Sequence, residues 1–222
     1  MHRAAVANAY DAGAQGILYR RYYPPPHRYP YTPQDSERLR YLAYPDIVAH
    51  KDKTFHVGPG SDRCQAVTYG LAEQLPRPLK VGAPGEEVTV DVADDLSAKE
   101  TAGELWRCEL RVMLHEMLHA DEARLYWNGV EVPQRRIRMA DWVFQMRPGG
   151  EVRGYRFHVN LKDGMLPQQG TNVLRVDLLK KDENFIHPIS IHDVDVRVEY
   201  LPHRNALRHD ETYEGAAIQF RP

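Results

Sequence analysis

Strict two-residue alternation of apolar and polar side chains runs through the second half of this 222-residue chain and limits what it can fold into. In EEVTVDV (86–92), for example, three valines alternate with polar residues. Successive side chains on an extended strand point to opposite faces, so this pattern predicts strands with one buried face. It recurs in ELRVMLH (109–115), YRFHVNL (155–161), NVLRVDLL (172–179) and DVRVEYL (195–201). Adding WVFQ (142–145) and LYWNGVEV (125–132) gives about eight strands, as expected of a β-sandwich or jelly roll.

The first 56 residues follow a different pattern. RAAVANAYDAG (3–13) predicts a helix, and GILYRRYY (16–23) predicts a short buried strand. A second helix is expected from Thr32 until Pro45 interrupts it, followed by one more helical turn to about residue 53. The predicted organisation is an α-β-α segment at 1–56, a Gly- and Pro-rich linker at 57–80, a β-sandwich at 81–204 and a C-terminal tail at 205–222.

A single strand between two helices has no sheet partner. The apolar residues Val6, Ala9, Ile17 and Leu18 are therefore expected to be exposed or to dock on the sandwich. Exposed apolar patches favour self-association. On this basis a shortened chain that begins near residue 81 is expected to be better behaved.

Charge and composition exclude several classes of protein. The net charge is −2 with both signs interleaved, which gives no case for nucleic acid or an anionic membrane as partner. No apolar run approaches the roughly 20 residues of a membrane-spanning helix. Without a signal peptide the chain as written is expected in the cytoplasm, and its location stays open if Met1 is not the true start. The two cysteines, Cys64 and Cys108, are expected to be buried free thiols.

The stretch HEMLH (115–119) contains the H-E-x-x-H pattern of zinc metallopeptidases. A zinc site needs His115 and His119 one turn apart on a helix, with Glu116 activating the bound water. Three observations favour strands instead: strict alternation leads into His115, an Asn-Gly hairpin signal follows at 128–129, and no familiar third ligand is placed. The prediction is a strand at 109–115, a loop at 116–121 and a hairpin at 122–132, with the metallopeptidase as the alternative.

Two runs in the first 56 residues, AYDAGAQGILYRRYY and SERLRYLAYPDIVAHKDKTF, carry a family resemblance. They are similar to the last helix-to-strand step and to the final helix of the TIM barrel in bacterial glycoside-hydrolase-like proteins. The run ARLYWNGVEV, QQGTNVLRVDLLKK and PISIHDVDVRVEY resembles the strands of their galactose-binding-like β-sandwich, including a G-x-N-x-L-x-V pattern. The resemblance implies a mainly β accessory module that binds carbohydrate, preceded by a barrel remnant. The family's catalytic acids have no counterpart here, so hydrolysis by the usual carboxylate pair is not expected.

The resemblance makes two groups of residues candidates for binding sugar. The first group lies at the end of the predicted barrel strand, where the sites of TIM barrels are built: Tyr19, Arg20, Arg21 and Tyr23. The alternative is that these side chains only pack beneath the Pro-rich loop. The second consists of tryptophans that form either an aromatic platform or part of the core: Trp106, Trp127 and Trp142.

Acidic residues and histidines raise the question of metals. Asp91, Asp94 and Asp95 form either a structural calcium site or a solvated turn. No other cofactor is predicted. The remaining metal-capable side chains near the C-terminus are expected to be surface charge, since alternation with Val194 and Val196 turns the aspartates outward: His187, His192, Asp193 and Asp195.

Overall fold

A computed structural model describes residues 2–18, 41–59, 74–147, 150–162 and 164–201, apart from the side chains of 142–147 and 150–153. The helices are α1 (His2–Asp11), α2 (Pro45–Val48) and α3 (Leu96–Thr101), with a 3₁₀ turn at Gln134–Arg136. The strands are β1 (Lys53–Val57), β2 (Arg77–Pro78), β3 (Glu86–Val92), β4 (Leu105–His115), β5 (Glu122–Trp127), β6 (Val130–Glu131), β7 (Ile137–Arg147), β8 (Gly150–Asn160), β9 (Gly170–Lys180) and β10 (Ser190–Tyr200).

These strands form two antiparallel sheets. The larger sheet has the order β1-β10-β4-β8-β7, and the short β2 also pairs with β10. The smaller sheet has the order β3-β9-β5-β6. The alternating segments predicted as strands are confirmed, and the chain is mainly β with a sandwich-like architecture.

The alternation explains why the two sheets pack together. Val88, Val90 and Val92 on β3 are fully buried and belong to one core with Val112 and Leu114 of β4. The intervening side chains face away from this core. Each strand therefore gains stability only when both sheets are in place, because that is how its apolar face leaves water.

The predicted N-terminal segment differs in two ways. Residues 16–18 are not a strand, and the side chain of Leu18 is 90% exposed. The remainder of that predicted strand and most of the second predicted helix lie outside the described residues. The predicted turn after Pro45 is present as α2, but the chain then continues into β1, which pairs with β10 along Lys53–Val57. The expected boundary at 56/57 thus falls inside a strand of the larger sheet, and β2 lies within the expected linker.

Helix α1 docks on the sandwich. Ala4 joins the main core, and Val6 packs with Leu42 and Val48. The side chain of Asn8 donates to the carbonyl oxygen of Asp91 at 2.9 Å and accepts from the amide of Ala93 at 3.1 Å. Of the four apolar residues that the sequence left either exposed or docked, Val6 is therefore buried and Ile17 packs against the same cluster, whereas Leu18 is exposed.

The G-x-N part of the G-x-N-x-L-x-V pattern stabilises the local backbone at the start of β9. Asn172 is completely buried at the start of β9. Its amide donates to the carbonyl oxygens of Gln168 and Gly170, and its Oδ1 accepts from the Gln168 amide and from Asn128. Asn128 and Gly129 form the β5–β6 turn with positive φ angles of 49° and 81°, as the Asn-Gly signal predicts. Asn172 therefore joins two turns at one end of the smaller sheet.

Candidate functional site

The H-E-x-x-H stretch is not a helix. Strand β4 runs to His115, and Glu116 then adopts a left-handed φ of 58°, which ends the strand. His119 is exposed in the loop that follows. The strand prediction is confirmed. The two histidines therefore do not lie on successive turns of one helix, which is the arrangement that the zinc site of a metallopeptidase needs.

Asp121 organises the loop after Glu116. Its carboxylate accepts from the amide of Leu118 at 2.6 Å and from the amide of Asp182 at 2.7 Å. Met117 inserts into the core between these points. A local side-chain-to-backbone turn of this kind competes with helix formation, and it was not recognised from the sequence.

His115 contacts a residue on the neighbouring strand instead of His119. Its ring stacks on that of His192, with ring centroids 3.7 Å apart and planes inclined by 18°. Burial, together with the neighbouring His192, lowers the pKa of His115 to about 4. Near neutral pH this imidazole is therefore uncharged.

The residues predicted to bind sugar lie in different environments. Trp127 is 1% exposed and belongs to the core between the sheets, which is the packing alternative that the sequence left open for it. Trp106 is partly buried on β4. The side chain of Trp142 lies outside the described part of the structure, as do all four members of the other predicted group: Tyr19, Arg20, Arg21 and Tyr23.

The three aspartates of the calcium alternative do not converge. Asp91 accepts a hydrogen bond from the Thr171 hydroxyl at 2.6 Å, and Asp95 caps α3 by accepting from the Ala98 amide at 3.0 Å. Asp94 is buried, and its Oδ2 lies 2.5 Å from the Lys53 ammonium. A calcium site needs several oxygens around one ion, whereas each of these three carboxylates has its own partner in the protein.

Lys53 supplies the positive charge that Asp94 requires. Burial lowers the pKa of Lys53, while Asp94 opposes this shift. The Tyr200 hydroxyl donates to the same carboxylate oxygen, and burial followed by Asp94 raises the pKa of that phenol. This buried network was missed from the sequence, where Lys53 was assigned to the end of a helical turn.

A cleft opens between the edges of the two sheets, where β5 and β6 face β7 and β8. It has a volume of about 430 Å³. Its walls combine polar and apolar side chains, and the ones most relevant to a ligand are His119, Arg124, Glu131, Gln134, Ile137 and Met139. We call this the edge cleft. Its size and mixed lining suit a small polar ligand with some apolar surface.

Charge in the edge cleft is partly paired. Arg124 Nε lies 3.2 Å from Glu131 Oε1, and both side chains are about half exposed. Met139 is 42% exposed beside them. The cleft thus offers donors and acceptors at the surface together with an apolar contact.

Cys108 is a buried free thiol, as expected, whereas Cys64 lies outside the described residues. Burial raises the pKa of the Cys108 thiol. Within the described segments, no helix is long and apolar enough to cross a membrane. No protein-family model matches the chain, and the comparison with curated proteins also finds no match.

Proposed function

We propose that this chain is a carbohydrate-binding accessory module with a jelly-roll, galactose-binding-like sandwich, attached to the end of a glycosidase-like barrel. The order of its sequence patterns supports this proposal. The connections that pass from one sheet to the other, such as β3 to β4 and β4 to β5, are of the kind found in jelly rolls.

The edge cleft is the observation that carries the proposal. Sugars present hydroxyl groups that need several donors and acceptors, together with C–H faces that pack on apolar side chains. The cleft has both, with Arg124, Glu131 and Gln134 beside Met139. A cavity of about 430 Å³ lies within the range of roughly 300–1,000 Å³ typical of small-molecule sites.

Binding is proposed in preference to hydrolysis. Glycoside hydrolysis normally uses two carboxyl groups that flank the scissile bond. In the edge cleft, the Asp121 carboxylate is engaged by two backbone amides, and Glu131 is paired with Arg124. A third carboxylate of the lining, Glu122, is exposed and lies 4.0 Å from Lys180. Because Asp121 is held by backbone amides, we assign the contact with a sugar hydroxyl group to the exposed Glu131.

The test is isothermal titration of the full chain against a panel of soluble polysaccharides and oligosaccharides. We expect at least one glycan to bind, and we expect Glu131→Gln and Gln134→Ala each to weaken that binding by about 3- to 10-fold, the equivalent of one hydrogen bond. Both residues are exposed, so neither change should disturb the fold.

Glu87→Gln is the matched control, because it makes the same charge change at an exposed position of β3, outside the edge cleft. Absence of binding to every glycan would refute the proposed function. Glycan binding that is equally strong in Glu131→Gln and Gln134→Ala would refute the edge cleft as its site.

A further inference from the structure

A group of histidine and aspartate side chains lies on the outer face of the larger sheet, apart from the edge cleft. His115 at the end of β4 and His192 and Asp193 on β10 each offer one ligand atom, and these atoms all lie within 4.8 Å of one another. Among the described residues this is the group whose side chains could share an ion. The three side chains are only partly buried, so an ion can reach them from solvent.

A β-bulge creates this arrangement. Ile191 pairs with Leu114 and Asp193 pairs with Met113, which leaves His192 as an extra residue in β10. Ile191 and Val194 are both fully buried, whereas the two residues between them both remain partly exposed. Bulges re-aim side chains in this way, so two consecutive ligands face the same side of the sheet.

The ligand atoms lie close to the separation that one transition-metal ion requires. Two atoms bound to the same zinc ion at about 2.0–2.1 Å can be at most about 4.2 Å apart. His192 Nδ1 is already 2.9 Å from Asp193 Oδ2, and the His115 ring lies directly on the His192 ring. To share one ion, the ligand atoms would have to come from up to 4.8 Å to at most about 4.2 Å apart, and the two stacked rings would have to turn so that their nitrogens point at that ion.

His56 on β1 lies beside this group of three, next to Asp193. Its Nδ1 lies 2.6 Å from Asp195 Oδ1, and its Nε2 lies 4.0 Å from Asp193 Oδ1. A carboxylate that binds one ring nitrogen and leaves the other directed at a metal is the usual support for a histidine ligand. The hydrogen bond with Asp195 thus leaves Nε2 of His56 as the nitrogen that could bind an ion beside Asp193.

We propose that His115, His192 and Asp193 bind a divalent first-row transition metal of the zinc type, with His56 as the fourth ligand. Two to three imidazoles and one carboxylate suit such an ion better than calcium or magnesium, which prefer oxygen ligands. Four protein ligands close the coordination sphere, which is typical of structural sites. The ion would join β1, β10 and β4, three adjacent strands of the larger sheet.

The experiment is a titration of the chelator-treated full chain with zinc chloride, followed by calorimetry and by thermal unfolding. We expect one zinc ion per chain. His192→Gln and Asp193→Asn should each weaken binding by more than about 10- to 100-fold, the loss typical for a residue that merely supports a ligand. Zinc should raise the Tm of the wild type, because it binds only the folded chain, and should not raise that of the variants.

Two histidine variants are matched controls. His119→Ala removes the other histidine of the H-E-x-x-H pattern, and His187→Ala removes an exposed histidine beside Phe185. Both should bind zinc as tightly as the wild type. Circular dichroism of each metal-free variant checks that its fold is intact.

Cobalt(II) provides a readout that needs no variant. In the wild type we expect the intense visible absorption of tetrahedral cobalt. Weak bands like those of hydrated cobalt would overturn the proposal, and so would zinc binding that survives His192→Gln and Asp193→Asn unchanged. Zinc binding that is lost in His119→Ala would place the ion elsewhere and would overturn it too.

Discussion

Gly58 lies directly against the ring of His56. A Cβ atom at residue 58 would stand 2.4 Å from His56 Nε2 and 2.9 Å from Asp193 Oδ1. Both atoms are ends of side chains that can move, so Gly58→Ala should leave the fold intact but displace two proposed metal ligands. We expect this variant to bind zinc at least about 10-fold more weakly in calorimetry.

Gly16→Ala is the control for that prediction, because a Cβ there would meet no atom within 4 Å. It should bind zinc like the wild type. Unchanged zinc affinity in Gly58→Ala would argue against His56 and Asp193 as ligands.

The second prediction concerns the junction of two turns at Asn172. Replacing this buried residue by alanine removes four hydrogen bonds, three of which are to backbone groups of Gln168 and Gly170. We expect Asn172→Ala to lower the free energy of unfolding by about 2–4 kcal/mol, measured by urea denaturation. Asn184→Ala, at an exposed position, should cost less than about 1 kcal/mol. Equal losses in the two variants would contradict this role of Asn172.

The strands could be predicted from sequence where one face is purely apolar, as in β3 and β9. Strand β1 was missed for a physical reason. Its inward positions are Lys53, Phe55 and Val57, and a lysine at an inward position breaks the apolar alternation. Only the tertiary structure shows that Asp94 and Tyr200 accommodate that lysine.

The group of His115, His192 and Asp193 could not be predicted from local sequence patterns either. His115 was noticed for its spacing to His119, whereas its actual neighbour His192 is far away in the chain. Their contact depends on the pairing of β4 with β10 and on a bulge that inserts one residue. Alternation correctly turns Asp193 outward but would place His192 on the opposite face.

The third prediction tests the buried pair of Lys53 and Asp94. Removing one partner leaves the other charge buried, so Asp94→Leu or Lys53→Met alone should cost about 3–5 kcal/mol of unfolding free energy. The double variant should be closer to the wild type, because apolar residues of similar size need no charge partner. A double-mutant cycle by denaturant unfolding measures this coupling. Additive losses would show that the pair is not energetically linked.

The fourth prediction is a dependence of stability on pH that comes from Glu109. Burial would raise the pKa of this carboxyl, but its hydrogen bond with His158 and the charge of Arg111 outweigh burial and lower the pKa from 4.5 to about 2. Because the folded pKa lies below the unfolded value, the stabilisation is present above about pH 4.5 and is lost as the pH falls toward 2. It amounts to roughly 3 kcal/mol.

Glu109→Gln should therefore flatten the acid side of the stability curve when unfolding is measured between about pH 5 and pH 2. Glu87→Gln, which removes an exposed carboxylate on β3, is the control and should retain the wild-type slope. An identical slope in Glu109→Gln and the wild type would count against this assignment.

The last prediction concerns a shortened chain that begins at residue 81. Such a chain lacks β1 and β2, which pair with β10, and it also lacks the buried Phe55 and the docked helix α1. Without β1 and β2, the edge of β10 would be open to pair with a strand of another molecule. The apolar core surface that they cover would also be exposed, which favours association. We therefore expect the shortened chain to unfold at a lower temperature and to self-associate more than the full chain in light scattering. This reverses the expectation from sequence, which treated the N-terminal segment as an addition to a complete sandwich. A shortened chain that is as monodisperse and as stable as the full one would show that β10 can serve as an edge strand without β1.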